Sequence, residues 1–332
     1  MNDFRLFPVQ ASTLAPQVDY IFFFLVALTV FFTFAIAATI VAFMIKFRRR
    51  SHDERPHGIH GSNLLEFTWS IIPFIIAIGV FAWGAVLYAN IRRPPDDALH
   101  VNVVGKQWMW KVQHMEGKRE INELHIPVGR PVQLTLASED VIHSFYVPAF
   151  RTKMDAVPGR YTLTWFEATQ PGEYHLFCAE YCGTLHSGMI GKIIAMEAAD
   201  FQAWLADDKS QISVEQAGEQ LFQQQGCASC HLGGPSARGP MLGGIYGRTV
   251  TLADGSRVKV DDNYLRESIL NPSAKLVEGY QPIMPTFQGL LSEESVMQLI
   301  AYVKSLPPAG MEAPKSAGAH GSTETHTGAE AH

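Results

Sequence analysis

Two short segments of this 332-residue chain concentrate the side chains that bind metals. The first runs from Cys178 to Met189 and also holds Cys182 and His186. Two thiols, an imidazole and a thioether so close together form a soft donor set of the kind that selects copper. The second runs from Cys227 through Cys230 to His231. Its Cys-x-x-Cys-His spacing is the signature of covalent haem c attachment, with thioether bonds from both cysteines and an axial bond from the histidine. All four cysteines of the chain lie in these segments, which leaves none for a structural disulfide elsewhere. Two redox-active centres on one chain point to electron transfer.

Each segment has competing readings. A compact turn after a strand can bring the Cys178 and Cys182 sulfurs to one point, with His186 and Met189 closing around them. A second imidazole must come from elsewhere, and His143, at the start of another strand, is the candidate. On spacing alone, a Cys178–Cys182 disulfide competes, as does a structural zinc site of Cys₂His₂ type, as does simple packing of His143 and Met189. Met189 counts against zinc, because a thioether is a soft ligand. For Cys227 and Cys230 the alternative is a thiol redox pair. Met284, just before the final helix, is the candidate sixth haem ligand, and Met241, close to His231 in sequence, is its competitor. Met/His ligation raises a haem's potential and suits electron transfer.

The elements that position these residues fall into a clear order. No charged residue occurs between Tyr20 and Ile45 or between Phe67 and Ile91. At about 1.5 Å per residue, each stretch is long enough to cross a bilayer as a helix. A buried core helix is the alternative, but soluble helices rarely stay uncharged so long. The intervening loop, 46–66, carries Lys46, Arg48, Arg49, Arg50 and Arg55 against Asp53 and Glu54. The positive-inside rule makes that loop cytoplasmic and both ends external, although Arg92 and Arg93 work against this. No cleavable signal precedes Tyr20, so the first span is expected to act as its own insertion signal.

Beyond a polar connector, Leu99–Gly105, Gln107–His114, Val132–Ala137, Tyr161–Phe166, Tyr174–Phe177 and Ile190–Met196 read as strands separated by turn signals, the pattern of a β-sandwich. Asp200–Asp208 reads as a short helix leading into a linker. Helices are then expected over Val214–Gln225 and Asp261–Leu270, with a last one capped by Ser292 and buried along Val296, Leu299, Ile300 and Val303. Residues 232–260 read as loop. The expected organisation is an external segment (1–19), helix (20–45), cytoplasmic loop (46–66), helix (67–91), β-domain (92–200), linker (201–212), small helical domain (213–308) and tail (309–332). The tail has the composition of a disordered segment, and its His320, His326 and His332 are weak metal candidates. The net charge of −6 carries no basic excess, which argues against nucleic acid as a partner.

Four motifs carry a family resemblance. They are Gln107–Trp110, His143–Phe145, Asp155–Arg160 and the Cys178–Met189 loop, joined by Leu65–Pro73 at the start of the second span. Together they resemble subunit II of the haem–copper respiratory oxidases, specifically cytochrome c oxidase, with a cytochrome c domain fused at the C-terminus. The resemblance implies a multi-domain membrane protein: a two-helix transmembrane hairpin, a cupredoxin-like β-sandwich, then an α-helical class I cytochrome c domain. It implies a binuclear copper A centre bridged by Cys178 and Cys182 and completed by His143, His186, Met189 and the carbonyl of Glu180. It also implies that the Glu180 carboxylate reaches a magnesium ion shared with subunit I, that electrons from cytochrome c enter at Trp108, and that Glu66 opens a proton path into subunit I. The implied partners are subunit I and other oxidase subunits, a soluble or membrane-bound cytochrome c, and the lipid bilayer, with the metal domains on the external face of a bacterial cytoplasmic membrane. Oxygen reduction and proton pumping would take place on subunit I. A nitric oxide reductase with a copper A subunit would use much the same relay. A stand-alone membrane-anchored electron carrier is the non-enzymatic alternative, and it has no need of a hairpin that docks onto a larger bundle.

Overall fold

The computed structural model describes residues 7–55, 58, 61–207, 212–232 and 237–308. The tail and its three histidines lie outside the described residues. Contacts divide the chain into two units, one reaching Val214 and the other running from Glu215 to Leu290 and onward from Ser295.

In the first unit, α1 (Ala15–Lys46) and α2 (Asn63–Ile91) are long apolar helices whose side chains are exposed almost throughout. A helix apolar on every side belongs in lipid. The Ser62 hydroxyl caps α2 by accepting from Leu65 N. Both helices start earlier than the uncharged runs suggest. Helix α1 begins at Ala15 because Leu14, Ala15 and Asp19 are buried, and α2 takes Glu66 into its first turn. The stretch before α1 is not a free segment either. Ala11 is fully buried in the β-domain core, Ala11 N donates to Ala149 O, and Thr169 N donates back to Ala11 O.

Ten strands form two five-stranded sheets. β1 (Leu99–Lys106), β2 (Met109–His114), β3 (Arg119–Ile121), β5 (Pro131–Ser138) and β8 (Thr162–Glu167) make one, in the order β3-β2-β1-β5-β8. β4 (Glu123–Pro127), β6 (His143–Val147), β7 (Thr152–Ala156), β9 (Gly172–Cys178) and β10 (Ile190–Met196) make the other, in the order β4-β10-β9-β6-β7. The β1–β5 and β4–β10 pairs are parallel, and the rest are antiparallel. Alternating apolar residues fill the space between the sheets, among them Val101, Val103, Trp110, Leu134, Phe145, Phe166, Leu176 and Ile193, all fully buried. Strands β3, β4 and β7 are additions to the sequence reading. They are short or rich in polar residues, so their alternation is weak.

Helix α3 (Ala198–Ala206) corrects the linker boundary. Its Phe201 is fully buried and its Trp204 and Leu205 pack on the sandwich, so residues 201–206 close the β-domain.

In the second unit, α4 (Val214–Gln224), α5 (Ala228–His231), α6 (Asp262–Leu270) and α7 (Glu293–Ser305) surround a small core containing Phe222, Ile245, Tyr264, Leu265, Phe287, Leu299 and Val303. Helices α4 and α7 cross so closely at Gly218 that a Cβ there would sit 2.0 Å from Gln298 O. Phe222 and Tyr302 pack beside the crossing, 5.2 Å between ring centres. The stretch expected to be loop contains a hairpin of β11 (Thr249–Thr251) and β12 (Arg257–Lys259), turned at Asp254 and Gly255. Asp261 caps α6 by accepting from Tyr264 N, which anchors the helix where the sequence places it.

Candidate metal centres

Strand β9 ends at Cys178 and β10 begins at Ile190, so the connecting loop must turn back between two paired strands. That turn stacks its donors. Cys178 Sγ and Cys182 Sγ lie 3.8 Å apart, Cys182 Sγ lies 3.4 Å from His186 Nδ1 and 3.8 Å from Met189 Sδ, and Cys178 Sγ lies 3.3 Å from Glu180 O. Strand β6, paired to β9 through Phe145 and Cys178, brings His143 Nδ1 to 3.9 Å from Cys178 Sγ. Four of its side chains are buried (Met189 and His143 fully, Cys182 to 2% and Cys178 to 8% exposure), and His186 is half-buried at its edge.

A disulfide has an S–S length of about 2.05 Å. At 3.8 Å the sulfurs are free, and the separation leaves room for metal between them. Burial pushes both thiols up. At Cys178, hydrogen bonding to the His143 ring and to the backbone outweighs burial and brings the pKa down to about 6. At Cys182, the neighbouring Cys178 adds to burial and carries the pKa up to about 12. The pair thus ionises once readily and resists a second charge. Metal cations remove that resistance, because a coordinating thiol is deprotonated outright. Thiolate, imidazole and thioether donors in a buried pocket fit copper.

The support around these donors is built from β1, β2 and the β5–β6 loop. Asp140 Oδ1 sits 2.8 Å from His143 Nε2, which fixes the ring with Nδ1 toward the sulfurs. Gln107 N donates to Asp140 Oδ2 at 2.8 Å, and the Gln107 side chain donates to Cys182 O at 2.8 Å. Trp108 Nε1 donates to the same carbonyl at 3.1 Å. Gly105 backs the His143 ring, where a Cβ would approach Cδ2 to 2.8 Å. Asp140 and Gly105 are functional neighbours that the sequence reading missed. The signal for Asp140 was its i,i+3 spacing from His143 in a turn, which is too common to single out. Replacing Asp140 with Asn should leave the cluster assembled but lower its metal affinity or activity by about 10- to 100-fold, the usual cost of losing a partner that orients a ligand. Metal titration of the purified variant checks this.

At the second centre, Cys227 sits at the start of α5 and His231 at its end. His231 Nδ1 bonds Pro240 O at 2.8 Å, which orients the ring and leaves Nε2 as its free donor atom. Burial pushes the Cys227 thiol up. A thiol redox pair needs the opposite shift, so the redox alternative loses ground. Met284 is half-buried on the loop before α7, whereas Met241 is 38% exposed.

Glu66 is exposed near the start of α2. Roughly 38 Å of helix separates it from Ile91, where the chain enters the β-domain. Glu180 is exposed on the copper loop.

One other group of metal-ligating types occurs among the described residues: Glu120, Glu123 and His125. Its members are already engaged. Glu120 Oε1 bonds the buried His114 Nε2 at 2.9 Å, Glu120 Oε2 bonds His125 Nδ1, and Glu123 pairs with Lys192 at 3.4 Å. His125 in turn stacks on Trp204 of α3 at 4.4 Å between ring centres. Burial opposes ionisation of Glu120, but hydrogen bonds from both histidines win and hold its pKa at about 2, against an ordinary 4.5. A depressed carboxylate stabilises the fold above its unfolded pKa and ceases to do so as pH falls through its folded one. The clasp should therefore contribute on the order of 3 kcal/mol above pH ~4.5 and lose it toward pH ~2. Amide exchange in α3 should accelerate across that window, and Glu120→Gln should flatten the response.

Three family models match the chain in register with these units. They are described as cytochrome c oxidase subunit II, transmembrane domain (residues 2–83), cytochrome c oxidase subunit II, periplasmic domain (119–197), and cytochrome c oxidase, cbb3-type, subunit III (214–303). Cytochrome c oxidase subunit 2 of Alkalihalophilus pseudofirmus is 33% identical over 312 residues, covering 88% of this chain and 88% of that protein. The chain belongs to the cytochrome c oxidase subunit II family. Cytochrome c oxidase subunit 2 of Thermostichus vulcanus is 31% identical, over 60% of this chain and 77% of that one. The crystal structure of the periplasmic domain of subunit II of cytochrome oxidase of Bradyrhizobium japonicum is 32% identical and covers 35% of this chain and 97% of its own, with a TM-score of 0.34. As a subunit II with a C-terminal cytochrome c domain, the protein is an electron-transfer component of an oxidoreductase. Its domains imply copper A and haem c, its helices anchor it in a membrane, and its family implies subunit I as partner.

Proposed function

We propose that this subunit takes electrons from a cytochrome c donor and delivers them, by way of its haem c and copper A centres, to subunit I for reduction of oxygen to water coupled to proton pumping. The single observation that carries the reading is the convergence of Cys178, Cys182, His143, His186 and Met189 in one buried cluster whose loop carbonyl, Cys182 O, is held by Trp108. In this reading Cys178, Cys182, His143, His186, Met189 and Glu180 O would hold a pair of copper ions, which would supply a one-electron relay. The chain's own part is to hold the donors rigid and largely buried, so that little rearranges when an electron arrives. Cys227 and Cys230 tether the haem, His231 and Met284 ligate it, and Trp108 is the point where electrons enter the copper domain.

The loop 46–66 faces the cytoplasm, and both metal domains face the periplasm. In the same reading the Glu180 carboxylate, exposed on the copper loop, reaches a magnesium ion shared with subunit I. Glu66, exposed at the cytoplasmic start of α2, opens a proton path into subunit I. An ionisable group at that depth has a functional role by default. Glu66→Gln should slow oxygen consumption severalfold and leave the copper and haem spectra unchanged. Full turnover in this variant removes the proton role.

Rapid mixing of the oxidised complex with reduced cytochrome c tests the order of events. The haem c band should reduce first and the copper band next, with oxygen consumed last. Oxygen uptake that proceeds while both bands stay oxidised overturns the reading.

A further inference from the structure

The ion pair between Arg151 and Asp19 has no place in the electron path, yet it is buried and densely hydrogen-bonded. Arg151 follows β6 in the turn at Pro148–Phe150, and Asp19 lies in the first turns of α1. Arg151 Nε and Nη2 grip the two Asp19 oxygens, each at 2.8 Å. Its remaining donors reach Pro148 O at 2.6 Å, Val9 O at 3.0 Å and Pro8 O at 2.9 Å. A guanidinium has five N–H donors in a fixed fork, and here each has an acceptor. Gln10 Nε2 adds a bond to Asp19 Oδ2 at 2.8 Å, and the Phe7 ring stacks on the guanidinium at 4.9 Å. The side chains of Arg151 and Asp19 are 9% and 4% exposed. Arg151 even adopts a left-handed backbone (φ 53), which a long side chain takes only when its surroundings enforce it.

The contact joins three pieces of chain: the extended stretch before α1, α1 itself, and the end of β6. Strand β6 is the one that starts at His143 and pairs with β9 at Cys178. One end of this short strand therefore carries a copper ligand and the other end is bolted to a membrane helix. The companion contact at the end of α2 is weaker, a bond from Trp165 Nε1 to Asn90 O at 3.1 Å with Arg92 Nη1 beside it, 3.6 Å from Met154 Sδ.

We propose that Arg151 and Asp19 are positioning residues for electron transfer out of this subunit: their buried pair fixes the copper domain on the membrane hairpin and so sets its place against subunit I. This rests on the delivery of electrons to subunit I proposed above. The pair touches none of the copper donors, so breaking it displaces the domain without dismantling the centre. Displacing the domain changes the distance over which the electron must tunnel to subunit I, and the transfer rate falls as that distance grows.

The test uses the intact oxidase with Arg151→Gln, Asp19→Asn and Arg151→Lys. All should keep full copper and haem content and an unchanged copper resonance spectrum, and the donor should reduce them at the normal rate. Electron transfer from copper to the subunit I haem, followed after a light pulse, should fall severalfold in Arg151→Gln and Asp19→Asn. Arg151→Lys, which keeps the charge but loses the fork, should fall less. Variants with intact copper that transfer at the wild-type rate overturn the proposal. So does loss of the copper signal in all three, which would make the pair a support of the copper fold. Absence of copper-to-subunit I transfer in the wild-type complex would instead defeat the underlying functional reading, and the same traces show it.

Discussion

Replacing Cys182 with serine should abolish copper A and reduce oxygen consumption by about a hundredfold or more. The lower bound follows from the 10- to 100-fold usually lost when only an outer partner of a metal ligand is removed. Cys182 is a far more central group. Its sulfur lies within 4 Å of Cys178, His186 and Met189, and it is the one donor that touches all three of the other loop side chains in the cluster. A serine oxygen is small and hard, and it neither spans the gap to Met189 nor bridges soft metal ions. The β-domain itself should survive, because most of its core residues come from strands outside the loop. The expected result is a correctly assembled, haem-containing complex without the copper signal. Haem c should still accept electrons rapidly from the donor and then remain reduced. Wild-type oxygen uptake in this variant would show that electrons leave the chain by another route.

Replacing both Cys227 and Cys230 with serine should have an effect of similar size on the donor side. Without thioether bonds, haem retention depends on His231, itself held by Pro240 O, and on the sixth ligand. Denaturing electrophoresis should lose the haem-stained band at the mass of this chain, and turnover with cytochrome c should collapse unless electrons enter directly at Trp108. Turnover that persists at a substantial fraction of normal would identify Trp108 as an independent point of entrance. A companion pair separates the candidate sixth ligands. Met284→Leu should leave haem attached but lower its potential, since methionine ligation raises it. Met241→Leu, at a position 38% exposed, should change neither.

The two apolar spans, the long strands and the donor residues were legible in the sequence because each rests on a strong local signal. Uncharged runs of that length have few alternatives, and the isoleucine-rich stretch Ile190–Met196 is a strand with the same bounds in the structure. The cysteine spacings pointed to metal chemistry, with a disulfide and a zinc site still open on spacing alone. What was not legible is non-local. Arg119–Ile121 and Glu123–Pro127 are strands only because β2 and β10 offer them edges. Ala11 and Phe201 are core residues of the sandwich, though both stand outside the segment assigned to it. The role of Asp140 depends on two hydrogen bonds that no periodicity reports. The Arg151–Asp19 pair joins residues 132 positions apart and leaves no mark in either neighbourhood. In each case the decisive partner comes from tertiary packing, and pattern reading sees only the near side of the contact.

Metal analysis combined with paramagnetic resonance of the intact membrane complex bears most directly on whether the Cys178–Met189 loop holds a binuclear copper relay. The expected outcome is copper in excess of what subunit I alone binds, with one unpaired electron shared equally by a pair of copper nuclei, and loss of that signal in Cys182→Ser. Zinc in the loop, a bond between the Cys178 and Cys182 sulfurs, or an unpaired electron confined to a single copper would contradict it.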